Sequence, residues 1–451
     1  MPMRILITRS LLIGLLFTSA ASAQTNTVVA TGEEGQTLED FFTAALDFSP
    51  RLRIAEDRLD VGQAQRRSVT GQLLPQVSAN ASVSENRQWV ANDMSDYTGQ
   101  RYSLQLQQVL FDWQTFARRG RAYAMENQYE AEYYNELATL FADVAERYFN
   151  VLETRDALAT IETELNAIRN QSEQVERLHQ FRQVPVTELY DIQARLSTLE
   201  ARKASLEGQV IMAKEALRSA TGLQVGDLYE LGDQAQLTAP EEDAETWAQR
   251  ARDASHLVSA REFAVEAAER SVSEQRGNYM PQLSLTLQGQ RSDLGFDNQP
   301  INRRDTAYVG LNLTVPLFAG GSNRARVSEA QSQRSMASNE LRQVQLEVAD
   351  QARMLVLQMQ ANERLIGAAE QVLESMTVAA ESRQRGFDIG NVTSVELLEA
   401  LRDRFSAERE LQALRYDQIN FSLRLRQVAG LLEADDLIEV SSWMRPPARS
   451  E

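Results

Sequence analysis

Four segments of the chain alternate between apolar and polar residues with a period of two. Such alternation predicts β-strands that have one apolar face. The segments form two hairpins, at about residues 76–110 and 282–316, with polar loops predicted near 85–100 and 292–306. The apolar positions of the four strands are Val77, Ala79, Ala81, Val83, Tyr102, Leu104, Leu106, Leu283, Leu285, Leu287, Val309, Leu311, Leu313 and Val315.

Each hairpin is followed by a very long helical segment. From Arg121 to Val184 there is neither glycine nor proline, and the matching segment from Ser322 to Arg385 contains only Gly367. At 1.5 Å per residue, such a helix is roughly 96 Å long. Apolar residues recur at steps of three and four, so these helices need neighbouring helices along their whole length rather than one compact core.

The two halves of the chain are a tandem duplication with an offset of 206 residues. Pro75-Gln76-Val77 matches Pro281-Gln282-Leu283, and Leu110-Phe111 matches Leu317-Phe318 with one residue inserted. The predicted order is a first repeat at 24–222, a connector at 223–243, a second repeat at 244–432 and a C-terminal tail at 433–451. Each repeat is predicted to contain a helix, a hairpin, a long helix and a return helix.

The N-terminus has the pattern of a secretory signal peptide. Arg4 and Arg9 precede an apolar run, and Ala21-Ser22-Ala23 provides small residues for cleavage after Ala23. The chain has no cysteine, which excludes disulfides and lipid attachment to a cysteine. Removal of residues 1–23 takes the formal net charge from −18 to −20. So acidic a chain is not expected to bind nucleic acid.

The predicted strands constrain how the chain could cross a membrane. No segment after the signal peptide has the roughly 18 apolar residues of a membrane helix, and in lipid the alternative is a closed β-barrel. Four strands are too few to close one, so the barrel must be shared between chains, and three chains supply twelve strands. The predicted fold is therefore mainly α, with a long helical barrel and a small shared β-barrel.

Several motifs together resemble the TolC family of outer-membrane efflux and type I secretion channels. They are the two PQ-hairpins, LFDW at Leu110–Trp113, VPLFAGG at Val315–Gly321, AERYFNVLETRDAL at Ala145–Leu158 and GFDIGNVTSVELLEA at Gly386–Ala400. The resemblance covers about Thr37 to Leu432. It implies a homotrimeric channel-tunnel that is embedded in the outer membrane lipid of a Gram-negative bacterium and extends into the periplasm. It also implies a periplasmic adaptor (membrane fusion) protein and an inner-membrane transporter of the RND, ABC or MFS type as partners.

A pair of carboxylates after the second long helix is the first candidate site. Glu396 and Glu399 are three residues apart and share a helix face. By resemblance they match acidic residues that face the lumen at the periplasmic entrance, where rings of carboxylates select cations. The alternative is an ordinary solvated helix face. Val392 occupies the place where the family often has a basic residue that closes the entrance.

The two turns between long and return helices are the second candidate site. By resemblance, such turns contact the helical hairpins of the adaptor. The alternative is plain turn chemistry, for which glycine, proline and asparagine are typical. The residues concerned are Val184, Pro185, Val186, Thr187, Gly390, Asn391, Val392 and Thr393.

No motif indicates catalysis, a metal or a cofactor. His179 and His256 are the only histidines and are far apart in sequence, and no nucleophile elbow, phosphate-binding loop or CxxC is present. The leading hypothesis is a passive export duct. The alternative is a periplasmic coiled-coil adaptor or scaffold without a pore, and the four amphipathic strands favour the duct. The sequence does not specify the cargo.

Overall fold

The computed structural model describes residues 35–90, 93–232, 238–295, 298–432 and 440–446, and the predicted signal peptide lies outside them. Among the described residues, the first repeat contains α1 (Leu38–Phe48), α2 (Pro50–Gly71), β1 (Gln76–Val90), β2 (Asp93–Asp112), α3 (Trp113–Gln180) and α4 (Val186–Thr221). The second contains α5 (Ala244–Ala254), α6 (His256–Gly277), β4 (Gln282–Leu294), β5 (Pro300–Thr314), α7 (Ser322–Asp388) and α8 (Ser394–Val428). Two short strands, β3 (Glu230–Leu231) and β6 (Met444–Arg445), pair with each other.

The first long helix starts at its strand without a linker, whereas residues 315–321 separate β5 from α7. α3 begins directly after β2, where the Asp112 carboxylate accepts a hydrogen bond from the Gln114 amide at 3.0 Å and caps the helix. It therefore starts eight residues before the predicted boundary and includes Gly120. α7 likewise continues through Gly367. The lengths are 68 and 67 residues. Each helix thus extends roughly 100 Å away from the sheet.

The helices before each hairpin are broken at equivalent serines. Ser49 ends α1 and accepts a hydrogen bond from the Leu52 amide at 3.4 Å, and Pro50 occupies the first turn of α2, where it needs no amide hydrogen. Ser255 separates α5 from α6 at the equivalent position, but its side chain makes no cap hydrogen bond and no proline follows it. Pro50 indicates the first break, because proline disfavours a helical conformation in the residue before it, whereas no proline marks the break at Ser255.

The predicted hairpin loops are wrong. β1 continues to Val90 and β2 starts at Asp93, so most of 85–100 is strand, and the same holds for 292–306 between β4 and β5. The apolar alternation fades there, but cross-strand ion pairs continue the ladder: Arg87 with Asp96 and Arg291 with Asp305. Backbone pairing does not require an apolar face, which is why alternation underestimated the strands. Val315 lies one residue beyond β5, so its placement in a strand is also wrong for the single chain.

The four long strands form one antiparallel sheet in the order β1-β2-β4-β5. The two hairpins are joined through β2 and β4, the inner strands. β1 and β5 are the edges, and neither has a second partner within the described chain. An edge strand exposes a row of unpaired amide and carbonyl groups.

A buried cluster near the middle of α3, the middle cluster, joins the long helix to both ends of the chain. It includes Phe41 of α1, Tyr148 and Phe149 of α3, and Ile419 of α8. The Tyr148 hydroxyl donates towards the Tyr229 carbonyl at 3.0 Å. Phe41 packs edge-on against the Tyr148 ring, with centroids 5.7 Å apart. Each of these aromatic side chains buries a large apolar area, so the cluster contributes strongly to the packing of α1, α3 and α8.

Half-buried Asp156, beside this cluster, predicts a pH dependence. The Tyr416 hydroxyl donates to Asp156 at 2.5 Å, and burial raises the pKa of Asp156 above 3.8 despite that hydrogen bond. The folded chain therefore binds this proton more tightly than the unfolded chain does. As the pH falls through the raised pKa towards 3.8, the contribution of Asp156 to folding stability increases.

We expect the stability of the native chain relative to Asp156→Asn to rise on acidification. Asparagine keeps an acceptor for Tyr416 but cannot titrate, so it serves as the reference at every pH. Denaturant midpoints of both proteins across this range give the difference. A difference that is constant, or that falls with acidification, would contradict the expectation.

Candidate functional site

The register of the sheet places the predicted apolar residues on one face. Val77 lies opposite Leu106, Leu106 lies opposite Leu287, and Leu287 lies opposite Val309. Directly opposed residues in antiparallel strands point to the same side of the sheet, and every second residue follows them. Apart from Val315, all the predicted apolar positions therefore share this face. The opposite face is polar and includes Ser78, Asn80, Gln105, Thr286, Gln288 and Asn312.

A β-bulge keeps the apolar face continuous where β2 ends. The pairing of β2 with β4 shifts between Val109 and Phe111, so Leu110 is the additional residue. Phe111 then lies opposite Leu283, on the apolar side, and its ring is 6.4 Å from that of Phe116 in α3. No local pattern in the sequence indicates this bulge.

Charged pairs limit the apolar face towards the hairpin ends. Arg87 donates to Asp96 at 2.8 Å, and Arg291 donates to Asp305 at 2.7 Å. An even number of positions separates Arg87 from Val77 and Arg291 from Leu287, so these pairs lie on the same side of the sheet as the two apolar residues. Between Val77 and Val83 the apolar segment of β1 is roughly 20 Å long at about 3.3 Å per residue. That length is similar to the apolar band of about 25 Å on a membrane-spanning barrel.

The two helical turns lie at the far ends of the long helices. The first spans residues 181–185, so Val184 and Pro185 are in the turn and Val186 and Thr187 begin α4. The second spans residues 389–393 and contains Gly390, whose φ of 80° favours glycine. The exposed residues of the predicted set are Pro185, Val186, Thr187, Gly390, Asn391 and Thr393.

Two valines of the predicted set are partly turned inwards. Val184 and Val392 pack against the turn cluster, a buried group that includes Ile192, Phe387 and Leu397. The large apolar side chains that the turns expose are instead Phe181 and Ile389. Sequence reasoning missed both. Phe387, the repeat equivalent of exposed Phe181, is buried, so the two turns present different surfaces.

Glu396 is part of the helix cap of α8. Its carboxylate accepts a hydrogen bond from the Thr393 amide at 3.0 Å, while the Thr393 hydroxyl accepts one from the Glu396 amide at 3.3 Å. These bonds to Thr393 lower the pKa of Glu396, so the carboxylate stays ionised. The capping box T-x-x-E was present in the sequence, and it would have identified this role.

Glu399 lies on the same exposed side of α8, one turn further along. The structure therefore brings Glu396 and Glu399 together, as predicted, but gives them different surroundings. Arg383 of α7 donates to the Glu396 backbone carbonyl at 3.0 Å. A basic side chain thus connects the two helices next to the turn. It is not at position 392, where the resemblance implied a basic residue and this chain has Val392.

The two turns are joined at equivalent residues of the repeats. The Ser394 hydroxyl, at the start of α8, donates to the Glu188 carboxylate at 2.5 Å near the start of α4. These residues are 206 positions apart, which is the offset of the duplication. The return helices therefore begin side by side.

A buried ionic group joins three helices at a point on α3 between the middle cluster and the first turn. The Glu164 carboxylate of α3 is fully buried and is contacted by Arg195 of α4 at 2.5 Å and by Arg409 of α8 at 3.1 Å. A buried carboxylate needs such partners, because its desolvation is otherwise costly. This group connects the first helical hairpin, α3 and α4, to the second through α8, and sequence reasoning missed it.

The described residues contain no group of three or more histidine, aspartate or glutamate side chains with metal-binding geometry. His179 lies 3.2 Å from the Val184 carbonyl, and His256 packs against Tyr134, with ring centroids 5.8 Å apart. Both histidines therefore have packing or turn contacts. Among the described helices, none is apolar over a stretch long enough to cross a membrane.

Comparison with known proteins identifies the family. The model of the family "Outer membrane efflux protein" matches residues 42–223 and again 247–431, once for each repeat. Outer membrane protein TolC of Vibrio cholerae is 26% identical over 435 residues, which cover 95% of this chain and 98% of that protein. Alkaline protease secretion protein AprF of Pseudomonas aeruginosa is 25% identical, covering 89% and 85%.

Solved structures share the fold. The CmeC outer membrane channel of Campylobacter jejuni superimposes with a TM-score of 0.77 at 16% identity, over 90% of each chain. The predicted channel-tunnel fold is therefore confirmed. The matching family consists of channel proteins rather than enzymes. The chain belongs to the outer membrane efflux protein family, and it is an export duct of the outer membrane.

Proposed function

We propose that three copies of this chain form a passive duct, with the sheets closed into a barrel in the outer membrane and the helices lining a tunnel below it. The duct receives its cargo from a periplasmic adaptor and an inner-membrane transporter, which supplies the energy. The duct itself performs no chemistry. The observation that carries this proposal is a sheet with one apolar face, one polar face and two unpaired edges.

The edges of the sheet support a shared barrel. Unpaired backbone groups are not tolerated in lipid, so β1 and β5 must pair with something once the sheet is in the membrane. Copies of the same chain satisfy both edges at once in a closed ring. The apolar face then contacts lipid and the polar face lines the lumen, as in other membrane barrels.

The far ends of the helices support the entrance and docking roles. Glu399 is exposed on α8, and Glu396 remains ionised within its cap. Three copies of each around an axis form two acidic rings, which favour cations. The turns are exposed and present Phe181 and Ile389 together with the predicted tip residues. Large exposed apolar side chains at such tips fit contact with the helical hairpin of an adaptor.

Single-channel conductance in a planar bilayer tests the duct and its entrance. We expect stable, small, cation-selective openings, with block by trivalent cations added from the periplasmic side. In Glu396→Gln/Glu399→Gln, selectivity and block should both weaken, because six carboxylates per trimer are lost. Unchanged block in this variant would remove the two residues from the entrance. An absence of current from a folded oligomer would contradict the duct itself.

The different surroundings of the two carboxylates allow a sharper control. Glu399→Gln removes a charge without touching the cap, so it should reduce selectivity and leave the thermal midpoint unchanged. Glu396→Gln keeps an acceptor for the Thr393 amide but weakens the bond, so a small loss of stability should accompany its effect. If only the cap variant altered conductance, a disturbed turn would explain the result better than a carboxylate ring.

A further inference from the structure

Arginines are concentrated where the helices meet the sheet. The helix ends next to the strands, with the segments that join them, are residues 61–75, 113–125, 275–281 and 315–328. Together they contain eight arginines and no aspartate or glutamate, although the whole chain has a formal net charge of −18. Such a local excess of positive charge attracts anions to this level of the molecule.

Only part of this charge is neutralised inside the chain. Arg118 and Arg121 of α3 contact the buried Glu274 of α6 at 2.9 and 3.4 Å, and Arg66 of α2 pairs with Glu126. The exposed arginines of these segments that have no carboxylate partner among the described residues are Arg67, Arg119, Arg276, Arg324 and Arg326. Their charge is available to a ligand from outside the chain.

One exposed stripe of α3 continues the apolar face of the sheet. Phe111 lies on that face, and its ring is 6.4 Å from the ring of Phe116. Trp113, Phe116, Arg119 and Tyr123 are all exposed and follow one another at steps of three and four, so they share one side of the helix. This exposed stripe therefore extends the apolar side of the sheet with three aromatic side chains and an arginine.

The same side of the helical layer continues onto α6. The Trp113 indole nitrogen donates to the Ser273 hydroxyl at 3.3 Å, so Ser273 lies on the side of the exposed stripe. Arg276 is exposed three residues after Ser273 and shares its side of α6. Arg276 therefore lies on the same side of the layer as Arg119.

Arg276 also lines a groove between α6 and α7. The groove has a volume of about 420 Å³ and is lined by Arg276, Tyr279, Arg324, Val327, Ser328 and Gln331. Farther from the sheet, Arg334 of α7 donates to Glu269 of α6 at 2.7 Å, so the charge between the two helices is balanced there. No carboxylate lines the groove itself. It is thus an open site with two arginines and hydroxyl groups.

We propose that Arg276 and Arg324 bind the phosphate of an anionic phospholipid in the periplasmic leaflet of the outer membrane, while Arg119 contacts neighbouring headgroups. This inference rests on the proposed duct, in which the apolar face of the sheet contacts lipid, and it adds a headgroup site at the edge of that face. Guanidinium groups bind phosphate oxygens through charge-assisted and often bidentate hydrogen bonds. The hydroxyls of Tyr279 and Ser328 are further donors in the same groove.

The depth of the arginines fits the headgroup layer. Arg276 is one residue from the end of α6, Arg324 is two residues from the start of α7, and Arg119 is six residues from the start of α3. At 1.5 Å per residue they lie within about 9 Å of these helix ends. Headgroups extend roughly 5–8 Å beyond each side of the hydrocarbon core. Trp113 and Tyr279 lie at the same level, where such side chains are typical of a membrane interface.

The charge of the groove predicts which lipid it prefers. The long helices extend from the sheet into the periplasm, so the lipids at this end belong to the periplasmic leaflet. A headgroup with a net negative charge is attracted by two guanidinium groups. A zwitterionic headgroup also brings an ammonium group close to them, and no carboxylate of the groove offsets that repulsion. We therefore expect the site to prefer phosphatidylglycerol to phosphatidylethanolamine.

Native mass spectrometry of the trimer, released from detergent with known amounts of each lipid, tests this preference. We expect the native trimer to retain more phosphatidylglycerol than phosphatidylethanolamine. Arg276→Gln/Arg324→Gln should bind phosphatidylglycerol roughly thirtyfold more weakly, because each basic residue near an anionic headgroup contributes roughly a fivefold gain. The comparison uses the intact trimer throughout, since the groove lies between helices of the folded chain.

Arg342→Gln/Arg364→Gln is the matched control. It removes the same charge from exposed positions of α7. These positions are 20 and 42 residues after the start of α7, so they are roughly 30 Å or more from the groove end of the helix. That distance exceeds the screening length of about 8 Å at physiological ionic strength. The control should therefore bind phosphatidylglycerol as the native trimer does.

The outcomes separate the lipid site from the duct. Equal phosphatidylglycerol binding by the two double variants would overturn the site. Displacement of the lipid by excess inorganic phosphate would also overturn it, because a soluble anion would then be sufficient. A native trimer that conducts but shows no preference for phosphatidylglycerol would refute the site and leave the duct intact. A native protein without trimers or current would refute the duct, and the lipid site with it.

Tryptophan fluorescence measures independently whether the exposed stripe faces lipid. In vesicles of phosphatidylglycerol and phosphatidylethanolamine with acyl chains brominated near the headgroup, the quenched fraction of the emission should fall in Trp113→Phe. Trp247→Phe is the control, because Trp247 lies in α5, beyond the 22 residues of α6. Loss of this remote tryptophan should raise the quenched fraction. A rise in Trp113→Phe as well would show that the stripe faces water and would contradict the lipid site.

Discussion

Replacing Glu164 by alanine is expected to destabilise the folded chain by about 3–5 kcal/mol, the usual cost of removing one member of a buried ion pair. The substitution leaves Arg195 and Arg409, which both contact Glu164, without their shared carboxylate in a poorly solvated position. The cost arises from these uncompensated charges more than from the lost attraction. Denaturant-induced unfolding, followed by circular dichroism at fixed protein concentration, measures it.

Two further variants separate charge from packing. Glu164→Gln keeps the shape and one acceptor, so it should recover part of the loss. Glu200→Ala removes the partner of Arg169 from an exposed pair at 3.1 Å and should cost about 0–1 kcal/mol. Equal effects of Glu164→Ala and Glu200→Ala would show that burial does not determine the contribution of the group that joins α3, α4 and α8.

Replacing Leu104 by arginine is expected to prevent insertion into the outer membrane. Leu104 lies near the middle of the apolar face, opposite Ala79 and Gly289. An arginine on the lipid face of a membrane barrel costs about 2–4 kcal/mol at the bilayer midplane. In a trimer the cost arises three times. The amount of heat-resistant trimer recovered from outer-membrane fractions measures the effect.

Gln105→Arg is the matched control, because Gln105 is the next residue of the same strand and points to the polar face. It should insert normally and reduce cation conductance, since it adds positive charge to the lumen. If Leu104→Arg inserted normally and Gln105→Arg did not, the assignment of lipid and lumen to the two faces would be reversed.

The predictions that depended on periodicity and duplication are confirmed at the level of family, fold and export function. Alternation identified the four strands, and the long segments free of proline identified α3 and α7. Both signals are local, because each depends only on the residues of a single element. The repeat boundaries, the tip contacts and the carboxylate entrance stay predictions.

The sequence by itself determined which elements form and which of their faces are apolar, since strand and helix periodicities are properties of neighbouring residues. Only the tertiary structure decided that the polar ends of the hairpins stay paired, that Ser394 meets Glu188 of the other repeat, and that Glu164 meets arginines from two other helices. Those outcomes depend on contacts between residues far apart in the chain. Such contacts are fixed by the packing of whole helices and strands, and no local pattern records them.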